Sequence, residues 1–325
     1  MRAVLILTRS GDQHVPPVAD EIRARGVRVF CCDLADFPEA VTMTTTLDPG
    51  GWSGTLLYQE QHLSLDSLIS IWRRRPVPYK APTTYAQGIR TFIEEEADRA
   101  FLGVLDSLFP YILWVSRTHS VRRAELKALQ LAQAQQCGFR VPRTLITNTP
   151  DALTEFYDAC QGNVVLKSVS RGTIEDEPHR IGRFIYTSKV EKADLDSLDG
   201  VRVTAHLLQE HIARSINIRV VVIGKQVFAV ELHSPHLDFR QNYDDITYAL
   251  HTLPGDIEQK VLALVRGFDV QFSSMDLLLT AQGEYVFLDL NPNGQWFFLQ
   301  RHLQDRLPLK EAMADLLVSP KDYSL

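Results

Sequence analysis

The sequence lacks the features that mark several common protein classes. Its 325 residues contain no CxxC motif and no Cys/His ligand spacing, so we expect neither a zinc site nor a disulfide framework. We expect free thiols in a reducing cytoplasm for the four cysteines, which are Cys31, Cys32, Cys137 and Cys160. No run approaches the about 18 apolar residues that cross a membrane, and the opening MRAVLILTRS is too short for a secretory signal. A cytoplasmic protein without a membrane partner is predicted.

An excess of positive charge and the common catalytic motifs are also absent. The net charge of −6 argues against a general nucleic-acid binder, because such proteins rely on broad basic surfaces. The first strand is not followed by GxGxxG, so a dinucleotide site is not predicted. No Ser-His-Asp or Cys-His arrangement stands at a recognisable elbow, which predicts a reaction without a covalent protein intermediate. A chain of this length exceeds the size at which a single hydrophobic core keeps growing, so we expect two or three domains.

The N-terminal part has the pattern of a parallel α/β unit. Ala3–Thr8 is an apolar strand, the polar loop Arg9–His14 follows, and a helical pattern through Ile22 ends near Gly26. Val27–Cys32 is a second strand, which makes the opening Rossmann-like. The pattern then predicts a β-meander over residues 47–65, with turns at Pro49-Gly50-Gly51 and Ser53-Gly54, and a helix from Gln87 to Leu108.

Three consecutive arginines follow an aromatic in Ile71-Trp72-Arg73-Arg74-Arg75-Pro76. Such a cluster is either a patch that binds phosphate or nucleic acid, or a basic edge that is solvated or neutralised by the acidic helix segment Glu94–Glu96. The second interpretation is favoured.

Near the C-terminus, two apolar runs, 275–279 and 285–290, flank Gln282-Gly283 and predict a β-hairpin. With those two residues as the turn, opposite residues have numbers that sum to 565, so Asp276 lies across from Asp289. Two facing carboxylates repel unless a cation lies between them. Asn291 points to the same side as Asp289, and this set of oxygens suits Mg²⁺. The alternative is two half-exposed acids at a sheet edge.

The same stretch, MDLLLT…EYVFLDLNPNGQW, resembles the C-terminal signature of ATP-grasp ligases. The ending NPNGQW is similar to the MvdC/MvdD-type ribosomal peptide maturases, which macrocyclise microviridin-like (graspetide) precursors. The resemblance implies an ATP-grasp fold of mixed α/β and α+β class. A Rossmann-like preATP-grasp domain (1–118) would precede a central subdomain with the leader-docking region (119–208) and a C-terminal subdomain with the metal site (209–325). Family members usually have Glu at the position of Asp289, where Asp keeps the charge but shortens the reach to a metal.

Several nucleotide contacts follow from the resemblance. RRAELKALQLAQAQQCGFRVPRT is similar to the family segment whose lysine contacts phosphates, and a helix from an N-cap at Ser120 is expected there. A second lysine ends the apolar strand Val164–Lys167, where an ammonium can contact phosphate at the mouth of a cleft. The loop after it, SVSRGT, has a single glycine, so a glycine-rich lid is not evident. The nucleotide-contacting set implied is Lys127, Lys167, Gln209, Glu210, Ile212 and Asn217.

The catalytic set implied is Arg219, Asp238 and Arg240. Arg219 shares one face with Asn217 on a strand that is otherwise apolar, and a buried arginine needs an anionic partner, either a structural carboxylate or a triphosphate. The resemblance favours the phosphate. Asp238-Phe239-Arg240 resembles the maturases' D-W-R, with Arg240 holding the acyl phosphate or the acidic side chain of the precursor. The alternative is a surface salt bridge between Asp238 and Arg240.

The acidic run Glu175-Asp176-Glu177 is the remaining candidate. Charge runs are usually solvated, but the family docks its leader peptide in this hairpin region, and three carboxylates would complement a basic leader residue.

The function implied by the resemblance is ATP- and Mg²⁺-dependent carboxylate ligation. An Asp or Glu side chain of a ribosomal precursor peptide (leader plus core) is activated as an acyl phosphate. A Ser/Thr hydroxyl or a Lys amine then closes an ω-ester or ω-amide ring. A homodimer is the family expectation. Two alternatives stay open: a RimK-like ligase that adds amino acids to a protein or peptide, and a protein that binds ATP without turnover.

Overall fold

The computed structural model describes residues 2–170, 172–177, 180–213 and 215–325, without the side chains of residues 175–177, 180, 181 and 305. The strands, in chain order, are β1 (Ala3–Thr8), β2 (Arg28–Cys32), β3 (Thr42–Asp48), β4 (Gly51–Tyr58), β5 (Gln61–Ser64), β6 (Leu68–Arg75), β7 (Leu113–Val115), β8 (Thr144–Thr147), β9 (Val164–Lys167), β10 (Thr173–Glu177), β11 (Arg180–Phe184), β12 (Ser188–Lys189), β13 (His206–Glu210), β14 (Ser215–Ile223), β15 (Gln226–His233), β16 (Thr247–His251), β17 (Phe272–Thr280) and β18 (Tyr285–Asn291). The helices are α1 (Val15–Ala24), α2 (Gln87–Ser107), α3 (Thr118–Ala124), α4 (Lys127–Gln136), α5 (Pro150–Ala159), α6 (Gly255–Gly267), α7 (Phe297–Leu303), α8 (Leu309–Val318) and α9 (Pro320–Tyr323).

The N-terminal sheet is parallel, in the order β2-β1-β6-β7. β1 is buried along its whole length, as expected for a parallel strand covered on both faces. One face packs on α2 and the small meander, and the other on α1 and the C-terminal helix α8. The Rossmann-like opening predicted from the sequence is confirmed.

The predicted meander is present as β3-β4-β5, but one of its two turns lies elsewhere than predicted. The first turn is at Pro49-Gly50, but the second is at Gln59-Glu60, whose φ values are 47° and 64°. Two consecutive left-handed residues form the turn that matches strand twist. Ser53-Gly54 lies inside β4, where a Cβ on Gly54 would clash with the backbone of Thr44. The Ser-Gly signal thus marks a close backbone approach and not a turn.

The central sheet is antiparallel, in the order β12-β9-β13-β8. Leu208 of β13 and Val164 of β9 pack with α5 in a small core. Because side chains alternate along a strand, Lys167 and Gln209 lie on the opposite face, which is open. β10 and β11 form a separate hairpin beyond this sheet.

The C-terminal sheet is antiparallel, in the order β16-β15-β14-β17-β18. β14 and β15 join at Gly224-Lys225, as predicted, since Ile223 pairs with Gln226. Both faces of β14 are buried, one against α4 and α6 and the other against α8. α8 also contacts β6, so it lies between the N-terminal and C-terminal sheets and joins them.

The helix predicted from Ser120 is broken in two. Ser120 lies inside α3, where its hydroxyl donates to Asp269 at 2.9 Å, and Lys127 is the first residue of α4. The carbonyl of Ala124 at the break accepts from the side chain of Gln130 at 2.6 Å. That buried amide also exchanges hydrogen bonds with Leu290, at 2.7 and 3.1 Å. Gln130 therefore replaces a lost helical hydrogen bond and fastens α4 to β18.

The four cysteines are free thiols, and burial raises the pKa of Cys31 to about 11. Of the helices in the described ranges, none is long and apolar enough to cross a membrane.

Candidate active site

A cleft of about 830 Å³ lies between the open face of the central sheet and one face of the C-terminal sheet. This volume falls in the usual range for small-ligand sites. The central sheet contributes Val165, Lys167, Leu207 and Gln209. The C-terminal sheet contributes Asn217, Arg219, Asp276, Leu278, Leu288, Asp289 and Asn291. Apart from the acidic run, the structure brings the predicted site residues together in this one cleft.

Asp276 and Asp289 are direct cross-strand partners, as predicted, but for a different reason. The loop has three residues, Ala281 to Gly283, because Thr280 pairs with Glu284 and Gly283 is left-handed with φ 79°. Near the loop, partner numbers therefore sum to 564, as in Leu277 with Phe287. A β-bulge at Leu288 adds one residue and restores the sum of 565 beyond it. Both Leu288 and Asp289 consequently line the cleft.

Arg219 lies opposite Asp276 on the neighbouring strand. Its Nη1 donates to both carboxylate oxygens, at 2.7 and 2.8 Å, and its Nη2 donates to the carbonyl of Gln295 at 3.1 Å. The structure thus gives this buried arginine a carboxylate partner, one of the two alternatives that the sequence left open. The phosphate contact stays a prediction.

Asp289 and Lys167 face the same cleft, and the side chain of neither forms a hydrogen bond or salt bridge with a described residue. Burial lowers the pKa of Lys167 to about 8, against the opposing effect of Asp289. Burial also raises the pKa of Asp289, and Asp276 adds to this effect while Lys127 and Lys167 oppose it. Recessed charges without a direct partner are costly, so this pair fits a ligand that carries both anionic and cationic groups.

The oxygens available for a metal are few. Asn291 is exposed, and its Oδ1 accepts from the amide of Asn293 at 3.0 Å. In the described part of the chain, no cluster of three or more His, Cys, Asp or Glu side chains could hold a metal. Two carboxylates and an amide fit Mg²⁺, which usually takes one or two carboxylates and completes its shell with water and phosphate oxygens.

Lys127 reaches across the cleft from the start of α4. Its Nζ donates to the carbonyl of Ser168 at 2.7 Å, immediately after Lys167. The two lysines of the predicted nucleotide set therefore lie on neighbouring segments, where both can face one phosphate chain.

The predicted adenosine segment is the end of β13 and the residues after it. The amide of Glu210 donates to Arg143 and that of His211 to Asn163, both at 2.9 Å. Among described residues, Ile212 is the first of this segment whose amide has no acceptor. The buried side chain of Gln209 donates to Thr144 at 3.1 Å, while its Oε1 has no partner in the described part of the chain. A purine edge supplies the donors and acceptors that such a segment lacks.

Asp238 and Arg240 form a bidentate salt bridge, the alternative stated for this pair. Nε and Nη2 of Arg240 donate to the two oxygens of Asp238, at 2.8 and 2.6 Å. Asp238 is buried, and its Oδ2 also accepts from the amide of Thr187 at 2.9 Å. Burial alone would raise the pKa of Asp238, but the hydrogen bonds and charge of Arg240 lower it. Asp238 therefore positions Arg240, whose guanidinium is half-exposed in the cleft.

The predicted leader-binding residues Glu175, Asp176 and Glu177 belong to strand β10. Their side chains lie outside the described part of the structure.

The contacts of the arginine cluster in β6 show that the favoured interpretation, a basic edge that is solvated or neutralised by the acidic helix segment, was wrong. Arg74 and Arg75 do not bind the acidic helix, where Glu94 instead accepts from Lys80 and from the amide of Ala81, each at 3.1 Å. Nη1 of the fully buried Arg74 donates to the carbonyls of Asn293 and Gly294, at 2.6 and 3.2 Å. Arg75 donates twice to Asn293, at 3.1 and 2.7 Å.

The sequence reasoning missed Asp12 and His14, in the loop after β1. Nε2 of His14 accepts from the amides of Trp296 and Phe297, each at 3.3 Å, and its Nδ1 lies 2.9 Å from Asp12. Burial lowers the pKa of His14 against the effect of Asp12, which keeps the ring neutral and able to accept. The available signal was the position of this loop at the carboxyl end of a parallel strand.

The NPNGQW turn is thus held by the N-terminal domain on one side and by the hairpin on the other. A Cβ on Gly294 would clash with Ser274 Oγ, which explains the glycine. Because this turn follows Asn291 directly, the N-terminal domain fixes one edge of the candidate metal site.

Comparisons with known proteins agree with this architecture. The family description "MvdD pre-ATP grasp domain" matches residues 3–122, and "RimK-like ATP-grasp domain" matches residues 123–307. A search of curated proteins found no significant match.

Three solved structures are similar along nearly the whole chain. The macrocyclase MdnB from Microcystis aeruginosa MRC is 31% identical with a TM-score of 0.80, over 98% of this chain and 100% of its own. The macrocyclase MdnC from the same organism, bound with precursor peptide MdnA, is 27% identical with a TM-score of 0.84, over 98% and 100%. The RiPP-associated ATP-grasp ligase of Chryseobacterium gregarium, at 24% identity and a TM-score of 0.84 over 98% and 97%, shares the fold. The chain therefore belongs to the RimK-like ATP-grasp family of ligases, with an MvdD-type pre-ATP-grasp domain at its N-terminus.

Proposed function

We propose that this ligase uses ATP to activate Asp or Glu side chains of a ribosomally made precursor peptide and closes ω-ester or ω-amide rings with Ser/Thr or Lys. The observation that carries the ATP-dependent step is the cleft between the two sheets, where the recessed charges of Lys167 and Asp289 have no direct partner among the described residues. The precursor as substrate is supported by the similarity to the macrocyclases MdnB and MdnC.

The nucleotide would occupy the cleft along its length. The adenine base would lie against Gln209, Glu210 and Ile212, with Asn217 nearby. Lys127, which reaches across from α4, and Lys167 of the central sheet would neutralise the phosphate chain. Neutralising the charge that develops during transfer is the main contribution a protein makes to phosphoryl chemistry.

Two arginines would act on the transferring group. Arg219 would hold the γ-phosphate once its present partner, Asp276, is neutralised by a metal ion. Arg240, oriented by Asp238, would hold the substrate carboxylate or the acyl phosphate with its fork. The attacking hydroxyl or amine then displaces phosphate, so each ring formed releases one water relative to the linear peptide.

Asp276, Asp289 and Asn291 are the residues that would hold Mg²⁺. The ion, when bound, supplies charge neutralisation and orientation of the phosphate oxygens. Asp276 and Asp289 would otherwise repel one another across the strand pair, which is the physical reason for a cation at this place.

The finer proposals complete this account. The protein would be a cytoplasmic homodimer of the microviridin-maturing type, divided at residues 1–118, 119–208 and 209–325. The acidic strand residues Glu175, Asp176 and Glu177 would dock the leader peptide. Charge reversal of all three should weaken leader binding, and unchanged affinity for a leader peptide would refute that role.

Mass spectrometry of the precursor encoded beside the gene, incubated with enzyme, ATP and Mg²⁺, tests the function. Successive losses of one water per ring, absent with Asp289→Ala, are expected. A gain in mass by amino-acid residues would support the RimK-like alternative. ATP binding without any change in peptide mass, for every precursor encoded nearby, would contradict the proposal.

A further inference from the structure

A second cavity, of about 450 Å³, lies beside the cleft and has no role in the chemistry described above. Its walls come from the loop after β1, the end of β6 and the start of α7. The residues that matter are Arg9, Arg75, Arg301, Tyr243, Phe297 and Phe298.

The cavity lies next to the reacting end of the cleft. Arg75, Tyr243 and Gln295 line both spaces. The carbonyl of Gln295 accepts a hydrogen bond from Arg219, the residue proposed to hold the transferring phosphate. The wall that the two spaces share is therefore in direct contact with that arginine. The adenosine segment near Ile212 lines only the cleft. A peptide held at the reacting end of the cleft would therefore lie next to the second cavity.

The cavity is positively charged although the whole chain carries a net charge of −6. Arg9 and Arg301 are exposed, and neither has an ion-pair or hydrogen-bond partner for its side chain among the described residues. The carboxylate that lines the cavity, Asp12, is already engaged by His14 at 2.9 Å and Arg74 at 3.4 Å. Two free guanidinium groups can therefore receive carboxylates from a ligand.

Aromatic side chains line the same cavity as the two arginines. The ring of Tyr243 packs edge-on against Phe298, with centroids 5.6 Å apart, and remains 43% exposed. Such a surface accommodates the aliphatic part of a peptide side chain, while arginine forks take the charged ends.

We infer that this cavity is a binding site for an acidic segment of the peptide substrate, next to the residue being activated, with Arg9 and Arg301 as specificity-determining residues. The inference rests on the proposed function, since it assumes a substrate with several carboxylates. It adds that Asp or Glu residues neighbouring the reacting one are recognised by charge.

The first test measures binding without turnover. Acetyl-Glu-Glu-Glu-amide and its uncharged analogue acetyl-Gln-Gln-Gln-amide are titrated into the full-length protein by calorimetry. We expect the glutamate peptide to bind more tightly than the glutamine peptide, and Arg9→Gln/Arg301→Gln to weaken it about tenfold, which corresponds to about 1.4 kcal/mol. The matched control, Arg122→Gln/Arg202→Gln, removes the same charge from exposed positions outside both cavities and should change affinity less than twofold.

The second test measures turnover of the precursor. We expect the KM for precursor to rise about tenfold in Arg9→Gln/Arg301→Gln, with the KM for ATP within twofold of wild type. Normal ring formation with an unchanged KM for precursor would overturn the inference and leave the proposed function standing. Absence of any ring formation by the wild-type enzyme would count against the proposed function, while the binding test still decides the inference.

Two binding results would overturn the inference. One is equal affinity of wild type and Arg9→Gln/Arg301→Gln for the glutamate peptide. The other is displacement of that peptide by inorganic phosphate at equal or lower concentration, which would make the cavity a site for free anions.

Discussion

Replacing Arg74 tests whether the N-terminal domain holds the edge of the candidate metal site. Arg74 is fully buried, and Arg74→Met would remove its cation from Asp12 and its donor from the Gly294 carbonyl. The carbonyl of Asn293 would keep its hydrogen bonds from Arg75. Breaking a buried ion pair from one side costs about 3–5 kcal/mol, and the retained Arg75 contacts place our expectation at about 3 kcal/mol.

Arg74→Lys distinguishes charge from geometry. Lysine restores a cation but can direct its compact ammonium at either Asp12 or the turn carbonyls, whereas the guanidinium reaches both. We expect about half the destabilisation of Arg74→Met. Since burial lowers the pKa of Arg74 only to about 9, the wild-type side chain is charged at neutral pH, and the comparison is between two cations.

The assay is thermal unfolding followed by fluorescence, together with Mg²⁺ titration of activity. With about 2 °C per kcal/mol for a chain of this size, Arg74→Met should lower Tm by about 6 °C. The half-saturating Mg²⁺ concentration should rise, because the turn that follows Asn291 loses a contact. Arg99→Met, on the exposed face of α2, is the control and should change stability by less than about 0.5 kcal/mol. A Tm for Arg74→Met equal to that of the control would refute the reasoning.

Three further predictions concern the cleft. The lowered pKa of Lys167, about 8, means that the unfolded chain binds a proton that the folded chain lacks between about pH 8 and 10.5, so this residue's contribution to stability rises with pH there. ATP affinity should fall above about pH 8 as the ammonium is lost, and calorimetry in two buffers should show proton uptake on binding. Lys167→Arg should remove both effects. An ATP affinity of the wild type that does not change with pH would contradict this prediction. Asp289→Asn should raise the half-saturating Mg²⁺ concentration at least about tenfold (about 1.4 kcal/mol), while Asp289→Glu should retain metal binding. Equal Mg²⁺ curves for the wild type and both variants would exclude Asp289 as a ligand. Arg219→Lys should lower kcat by about 10²–10³ with little change in the KM for ATP, because lysine cannot hold Asp276 and the Gln295 carbonyl together, and an unchanged kcat would place Arg219 in a purely structural role.

Strand and hairpin positions were largely determined by local sequence. β1 and β9 coincide with their predicted ranges, and the Gly224-Lys225 turn joins β14 and β15 as expected. Alternating apolar patterns and glycine turns are local signals, and a strand with a buried face has a strongly specified register. The facing pair Asp276 and Asp289 was therefore predictable, although the sequence did not reveal that the bulge at Leu288 produces it.

The partners of the charged groups were decided by the tertiary structure. The sequence could not show that Arg74 binds the turn after Asn291, because the two segments are more than 200 residues apart and meet only when the sheets pack on α8. The same holds for His14 and for the break before Lys127, where Gln130 replaces a backbone hydrogen bond. Residue types and strand periodicity determine which side chains face a cleft. Contacts between distant segments decide which of those side chains pair with one another by hydrogen bonds or charge and which remain for a ligand. No local pattern encodes these contacts.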